Sequence, residues 1–469
     1  MDILEKIATT NMLTILENCR VSPPPATVGH RSLPQSFFDK VWLLFFPIHQ
    51  VFFYDFPHPK SYFLETIVPK LKQSLCITLQ HFFPFAGNLI VFPNTGKTPE
   101  IRHVEGDSVA LTFAESNLDF NDLTGNHPRE SQKFYPLVPK LGQPSKVSDY
   151  VSIPLFSVQV TFFPDTGIAI GLTNHHSLCD ATTRFNFLKT WTSIAKHGTY
   201  DISLVSESLP VYERMIKYPE SLDEIFNNQP GIETIDDGYE IPHLVGETDK
   251  VRATLVLTQT HVNKLKKWLS TQLATVEYVS SFSVACAFVW SCIAKARATE
   301  QKSQDDDGLE RFICAVDWRS RMDPPLPQTY FGNCIGPCIS APIKSSLLVG
   351  NKGFLTAAKV FGKALSETLK DKDVIKDAYT WLERVYEPVP TVGVSGSPKV
   401  KIYEVDFGWG KPKKHETPSI DYNGSISVNA CKDSPGGIEI GISLPAKQMN
   451  EFISISKDEL ESSFYDQDY

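Results

Sequence analysis

The sequence predicts an α/β fold built in two halves. The chain has 469 residues, enough for two or three domains of usual size. Strand-like and helix-like patterns are mixed along most of it, and no solenoid-length repeat is present. Between them, residues 200–250 are weakly periodic and rich in Pro, Asn, Asp and Gly, the composition of a long surface connection. The expected organisation is a first domain over 1–200, a crossover linker over 201–250 and a second domain over 251–469.

The elements follow in order. Residues 60–82 place Phe63, Ile67, Leu71, Leu75 and Leu79 on one helical face, and the segment 82–88 (FFPFAGN) ends that helix. Residues 154–163 are strand formers, 164–167 (PDTG) is turn chemistry, and 168–174 is strand-like again. So 154–176 reads as a β-hairpin. Asp180 then stands where a helix N-cap belongs, and Phe185, Leu188, Trp191 and Ala195 follow at helical spacing. Past the linker, 251–258 is strand-like and 259–272 helix-like. Residues 280–297 form a strongly apolar helix with Ser280 or Ser281 as N-cap. A strand over 312–316 leads into 316–321 (VDWRSR), and prolines at 324, 325 and 327 force an extended loop. A helix is expected over 353–372, strands over 400–407, 424–430 and 437–443, and a last helix from Ala446.

Composition excludes several classes of partner. A net charge of −9 argues against non-specific binding to nucleic acid or anionic membranes. No segment has the apolar length of a membrane span. The first 19 residues carry acids and lack the basic start of a secretory signal, and 462–469 reads as a frayed polar end. The nine cysteines show no CxxC and mostly sit in apolar runs, as reduced buried thiols of a cytoplasmic protein do. No His/Cys cluster has ligand spacing, so neither a metal nor a bound cofactor is expected.

A histidine four residues before an aspartate occurs three times: His103 to Asp107, His176 to Asp180 and His197 to Asp201. Context favours the second. His176 lies at the exit of a strand and Asp180 at the start of a helix, where a side chain is held rigidly and still meets a ligand. His103 lies in a polar stretch that reads as a surface turn. His197-Gly198 reads as ordinary C-terminal capping. His175 and His176 face opposite ways on a strand, so only one enters a site. Cys179 has no activating pattern beyond His176. A serine-hydrolase elbow is absent, because 393–397 (GVSGS) fails at the last position. Downstream, Asp406-Phe407-Gly408-Trp409-Gly410 has two glycines around a tryptophan, the mark of a tight turn closely approached by another backbone.

Together, HHSLCD (175–180) and DFGWG (406–410) resemble the HxxxD and DFGWG signatures of the plant BAHD family of CoA-dependent acyltransferases. LPQSFFDKVWL (33–43), HFFPFAGN (81–88), SSFSVACAFVW (280–290), VDWRSRMDPPLPQTYFGNC (316–334), SGSPK (395–399) and GGIEIGISLP (436–445) are similar to further family segments, in the expected order. YFGNC (330–334) resembles the branch that acylates flavonoid and other phenolic glycosides, often with malonyl groups. Asp180 is followed by Ala181, unlike the HHxxxDG of carrier-protein-dependent condensation domains. The resemblance implies two similar-sized domains of the chloramphenicol acetyltransferase type. A solvent channel runs between them, entered by CoA and acceptor from opposite faces. It also implies a monomer whose partners are acyl-CoA, as cosubstrate, and a phenolic glycoside.

The implied reactive set is His176, Asp180 and Asp406. A neutral imidazole can take the proton of an alcohol as the new C–O bond forms, which makes His176 the general base. Two roles stay open for Asp180: an N-cap paired with Arg319, or an acid orienting the histidine. Two stay open for Gly408 and Trp409: a loop joining the domains, or an oxyanion donor. CoA phosphates need a cationic mouth, with Lys399, Lys411, Lys413 and Lys414 as candidates beside Ser397 and the helix start at Ser280 and Ser281. Phe38, Asp39 and Trp42, with Phe82, Phe83 and Phe85, are candidates for the acceptor wall. Malonyl-CoA is the expected donor, and a hydroxycinnamoyl-CoA such as coumaroyl- or caffeoyl-CoA the alternative. An arginine or lysine near His176 favours malonyl; Arg184 is close in sequence, but its helical facing is not fixed. A non-catalytic small-molecule binder is the reading of another class.

Overall fold

The structure, a computed structural model, describes residues 12–93, 95–198, 201–236, 238–273, 279–300, 308–370 and 373–462. The expectations for 1–11 and 463–469 lie outside the described residues. In the first half, β1 (Leu13–Val21), β2 (Arg31–Pro34), the one-turn helix α1 (Phe37–Lys40) and β3 (Ile48–Asp55) precede helix α2 (Val68–His81). Then come β4 (Asn88–Val91), β5 (Glu100–His103), β6 (Val109–Ser116), β7 (Arg129–Glu130), β8 (Ser145–Val147) and β9 (Tyr150–Pro154). The hairpin β10 (Phe156–Phe163) and β11 (Gly167–Asn174) leads into α3 (Ala181–His197).

The crossing segment carries short helical pieces, among them α4 (Glu220–Asn227), whose Leu222 and Phe226 are buried. The second half runs β12 (Lys250–Leu257), α5 (Gln259–Gln272), α6 (Ser281–Ala298), β13 (Leu309–Asp317), β14 (Ile335–Ile339) and β15 (Ile343–Lys344). It continues with α7 (Gly353–Lys370), β16 (Thr391–Ser395), β17 (Lys414–Glu416), β18 (Ile426–Ala430), β19 (Ile438–Pro445) and α8 (Ala446–Glu461).

Among the described residues three sheets result. The first has the order β1-β6-β10-β11-β3-β17, the second β14-β13-β16-β18-β19-β12-β7 with β15 on β13, and the third β2-β5-β4-β9-β8. Two strands cross the expected division between 1–200 and 251–469. β17 pairs with β3 in the first sheet, and β7 pairs with β12 in the second.

Local chemistry explains the placement. Every residue of β10 and β11 is buried, because both strands lie inside the first sheet, whose core also takes in α2 and α3. Gly171 on β11 lets Leu137 cross close by; a Cβ there would stand 1.9 Å from the Leu137 carbonyl oxygen. The predicted apolar face of the 60–82 helix is buried throughout, and Trp191 Nε1 on α3 donates to Ser74 Oγ on α2 at 3.1 Å. Gly198, at φ +68°, closes α3. α6 is apolar on all sides because α7, α8 and the second sheet enclose it.

Two expectations change. Residues 400–407 form no strand. Ile402–Glu404 is a turn of 3₁₀ helix, whose apolar residues Ile402, Tyr403, Val405 and Phe407 pack into the first half's core. The strand lies earlier, at β16. His103 is not in a surface turn: it ends β5, is buried, and its Nδ1 lies 2.9 Å from the Gly29 carbonyl oxygen.

Candidate active site

β11 ends at Asn174, a short turn covers 175–179, and α3 begins after Asp180. That turn sends its two histidines opposite ways. His175 points inward, with Nδ1 2.8 Å from Ser177 Oγ. His176 faces a cavity of about 800 Å³ between the two halves. Trp42 stacks on its imidazole at 4.0 Å between centroids and 9° between planes, and Phe45 meets it edge-on at 5.5 Å. His176 Nδ1 is buried without a hydrogen-bond partner. Burial, with Arg184 and His175 nearby, pushes the imidazole down to about 3, so it is neutral at pH 7 and able to accept a proton.

Asp180 is fully engaged elsewhere. Its Oδ1 accepts the Thr183 N–H at 3.0 Å as N-cap, and its Oδ2 accepts Arg319 at 2.6 Å and the Cys334 N–H at 3.0 Å. The YFGNC loop completes this clamp: the carbonyls of Tyr330 and Gly332 both accept from Arg319. Asn333 Nδ2 donates to the His176 carbonyl at 3.1 Å and to Asp39 Oδ1 at 3.2 Å.

Arg184, one turn into α3, lines the cavity beside His176. Its guanidinium donates to Asn174 Oδ1 at 3.0 Å and, among the described residues, forms no ion pair. At another part of the wall lie Ser280, Ser281, Ser397 and Lys399, with α6 starting at that point. Helix N–H groups, hydroxyls and a lysine are donors suited to phosphate oxygens.

Other candidates stand elsewhere. Phe38 and Asp39 are wholly buried behind the wall, Phe38 packed on Phe37 and Trp381; only Trp42 of that trio lines the cavity. Phe82, Phe83 and Phe85 belong to the first half's core. Asp406 is away from the cavity, accepting the N–H groups of Gly408 and Gly410 and pairing with Lys196 on α3 at 2.6 Å. Trp409 packs against Tyr54, Phe56 and Phe407, and Gly408, at φ +105°, passes close to the Lys196 backbone. This loop packs the second half against the first and does not line the cavity. Lys411 is exposed outside the cavity wall, Lys413 pairs with Asp55, and Lys414 is buried against Asn126 and Thr254.

Phe45 and Phe46, half-buried in the cavity wall, were not anticipated. Their signal was the aromatic pair after Trp42 and before Pro47, which reads equally well as core. Among the described residues no group of three His, Cys, Asp or Glu side chains could hold a metal ion, and no helix is long and apolar enough to cross a membrane.

The model of the Transferase family matches residues 11–458. The chain belongs to this family, the BAHD acyltransferases. It is 52% identical over 456 residues to the malonyl-coenzyme A:anthocyanin 3-O-glucoside-6''-O-malonyltransferase of Dahlia pinnata, covering 96% of this chain and 98% of that one. It is 41% identical to the malonyl-coenzyme:anthocyanin 5-O-glucoside-6'''-O-malonyltransferase of Salvia splendens, covering 94% of each. An Arabidopsis thaliana coumaroyl-CoA:anthocyanidin 3-O-glucoside-6''-O-coumaroyltransferase is 35% identical, over 94% of this chain and 96% of its own. Vinorine synthase shares the fold, with a TM-score of 0.66 at 21% identity, over 97% of this chain and all of that one. The BAHD chain described here is thus a CoA-dependent acyltransferase of the two-domain chloramphenicol acetyltransferase type.

Proposed function

We propose that this acyltransferase moves a malonyl group from malonyl-CoA onto a sugar hydroxyl of an anthocyanin, another flavonoid or a related phenolic glycoside. The observation that carries the donor choice is Arg184. It is a buried cation in the cavity wall beside His176, without a carboxylate of its own. The free carboxylate of a malonyl group can pair with it, whereas a hydroxycinnamoyl group would leave it unmatched. The names of the Dahlia and Salvia relatives support the same donor.

In this reading His176 takes the acceptor hydroxyl proton while that oxygen bonds to the thioester carbonyl carbon. The tetrahedral intermediate collapses, the carbon–sulfur bond breaks, and the leaving thiolate takes the proton back from the imidazolium. No acyl-enzyme forms. Trp42, Phe45 and Phe46 offer flat faces to an aromatic aglycone. Ser280, Ser281, Ser397 and Lys399 hold CoA phosphates. Asp180 and Arg319 hold the site together.

The test is a donor screen by mass spectrometry. Malonyl-, acetyl-, coumaroyl- and caffeoyl-CoA are offered against flavonoid and simple phenolic glucosides, with His176→Ala as control. A His176-dependent gain of malonyl mass is expected, with turnover in the variant lower by roughly a hundredfold or more. A hydroxycinnamoyl mass would keep the chemistry and move the donor, the reading favoured by the coumaroyltransferase relative and the aromatic wall. Bound CoA without transfer to any acceptor would leave a binder.

A further inference from the structure

We propose that Arg214, Asp39 and Asn333 form a positioning relay that fixes His176 against Trp42. The inference rests on the general-base reading of His176. That imidazole has no side-chain partner on Nδ1, and Asp180 spends its carboxylate on Thr183, Arg319 and Cys334. Its orientation therefore comes from the stack on Trp42 and from the tether on its own backbone.

Both lead to one residue, the tether through its carboxylate and the stack through its backbone. Asp39, wholly buried, accepts the Asn333 N–H at 2.7 Å and Asn333 Nδ2 at 3.2 Å on Oδ1. The same amide then grips the His176 carbonyl. Oδ2 accepts the Ser36 N–H at 2.9 Å and its hydroxyl at 2.8 Å, closing α1. The Trp42 N–H donates to the Asp39 carbonyl at 3.2 Å, so the turn that carries the stacking ring springs from the same residue. Gly332, at φ +109°, makes the close approach possible: a Cβ there would stand 2.9 Å from Asp39 Oδ1.

Arg214 reaches this centre from the crossing segment. It lies 3.4 Å from Asp39 Oδ2 and donates to the carbonyls of Pro34 and Phe331, both at 2.8 Å. It thereby joins the strand before α1 to the YFGNC loop. None of the three residues lines the cavity. They act through His176 and Trp42, and they give the crossing segment a hold on the reaction that it never touches. Placement errors of an ångström at a reacting group are enough to cost large factors in rate.

The test compares Arg214→Met, Arg214→Lys, Asn333→Ala and His176→Ala with the unaltered enzyme, each assayed well below its own melting temperature. Arg214→Met and Asn333→Ala are expected to lower kcat by roughly ten- to a hundredfold while both KM values stay within about twofold. Arg214→Lys, which keeps the charge on Asp39, is expected to recover most of kcat. Normal kcat in Arg214→Met, or a raised KM with kcat retained, overturns the relay. Failure of lysine to recover anything that methionine loses overturns the role of the charge. The two readings fail separately. Turnover retained in His176→Ala defeats the general base, whereas an inactive His176→Ala beside a normal Arg214→Met defeats the relay alone.

Discussion

At the scale of the residue, the site is set by which groups are left unmatched. Arg184 is cationic, buried and in no ion pair among the described residues, while the other buried arginines Arg129, Arg252, Arg311 and Arg319 each pair with a carboxylate. Arg184→Leu is expected to raise the malonyl-CoA KM roughly thirty- to a hundredfold, the cost of about 2–3 kcal/mol for one half of a desolvated charge pair. Coumaroyl-CoA should be unaffected or better used. Competition between the two donors measures the ratio, and an unchanged ratio removes Arg184 from donor choice. This residue was visible in the sequence, yet its role was not, because a helix start fixes spacing without fixing which side meets a cavity. Asp39 failed in the opposite way: its segment reads as a candidate wall, and only the fold shows that its carboxylate faces the YFGNC loop instead.

At the scale of the element, the turn at 175–179 is held between a cap and a clamp. Asp180→Ala is expected to cost about 3–5 kcal/mol, because it removes the N-cap of α3 and the nearer carboxylate of buried Arg319, leaving that arginine only Asp317 at 3.4 Å. Stability and turnover should fall together, as read by thermal melting and steady-state rate. Asp180→Asn with unchanged melting and no turnover would instead give the carboxylate a chemical part. Gly332→Ala should also destabilise, since a side chain there is strained at φ +109° and crowds Asp39. Elements with strong local signals were legible: the hairpin, the cap at Asp180, the apolar helix from Ser280 and the final helix. The segment 400–407 was not. Its alternating apolar residues serve the core of the other half, and contacts made so far along the chain leave a strand-like pattern without a strand.

At the scale of the whole molecule, the halves are bolted rather than merely apposed. Glu416 on β17 lies 2.9 Å from Arg129 of β7 and 3.4 Å from Arg252 of β12, and Arg252 also pairs with Asp421 at 2.6 Å. The two arginines hold the Glu416 carboxyl down at about 2 against the effect of its burial. Calorimetry should therefore show one unfolding transition, and two resolved transitions would mean that the halves unfold independently. Stability should also fall in mild acid. Burial pushes His49, His176 and His415 down to about 3 and His175 to about 4. Below about pH 6.5 the unfolded chain takes up protons on these imidazoles that the folded chain refuses, so stability is complete above that pH and drains away toward the folded values. The melting temperature at pH 5 should lie below that at pH 7.5, and equal values would contradict the burial of neutral histidines.

The exchanged strands also impose an order on biosynthesis. β3 is the penultimate strand of the first sheet, and its outer edge is closed by residues 414–416. A ribosome adding about 5–20 residues per second works through more than three hundred positions between the two. Throughout that interval the nascent first half presents an unpaired edge lined by Val51, Phe52 and Phe53, the kind of edge that recruits other strands. The period of greatest exposure to aggregation thus ends only when about nine-tenths of the described chain has emerged, which makes truncations that remove residues 414–416 more hazardous to solubility than their small size suggests.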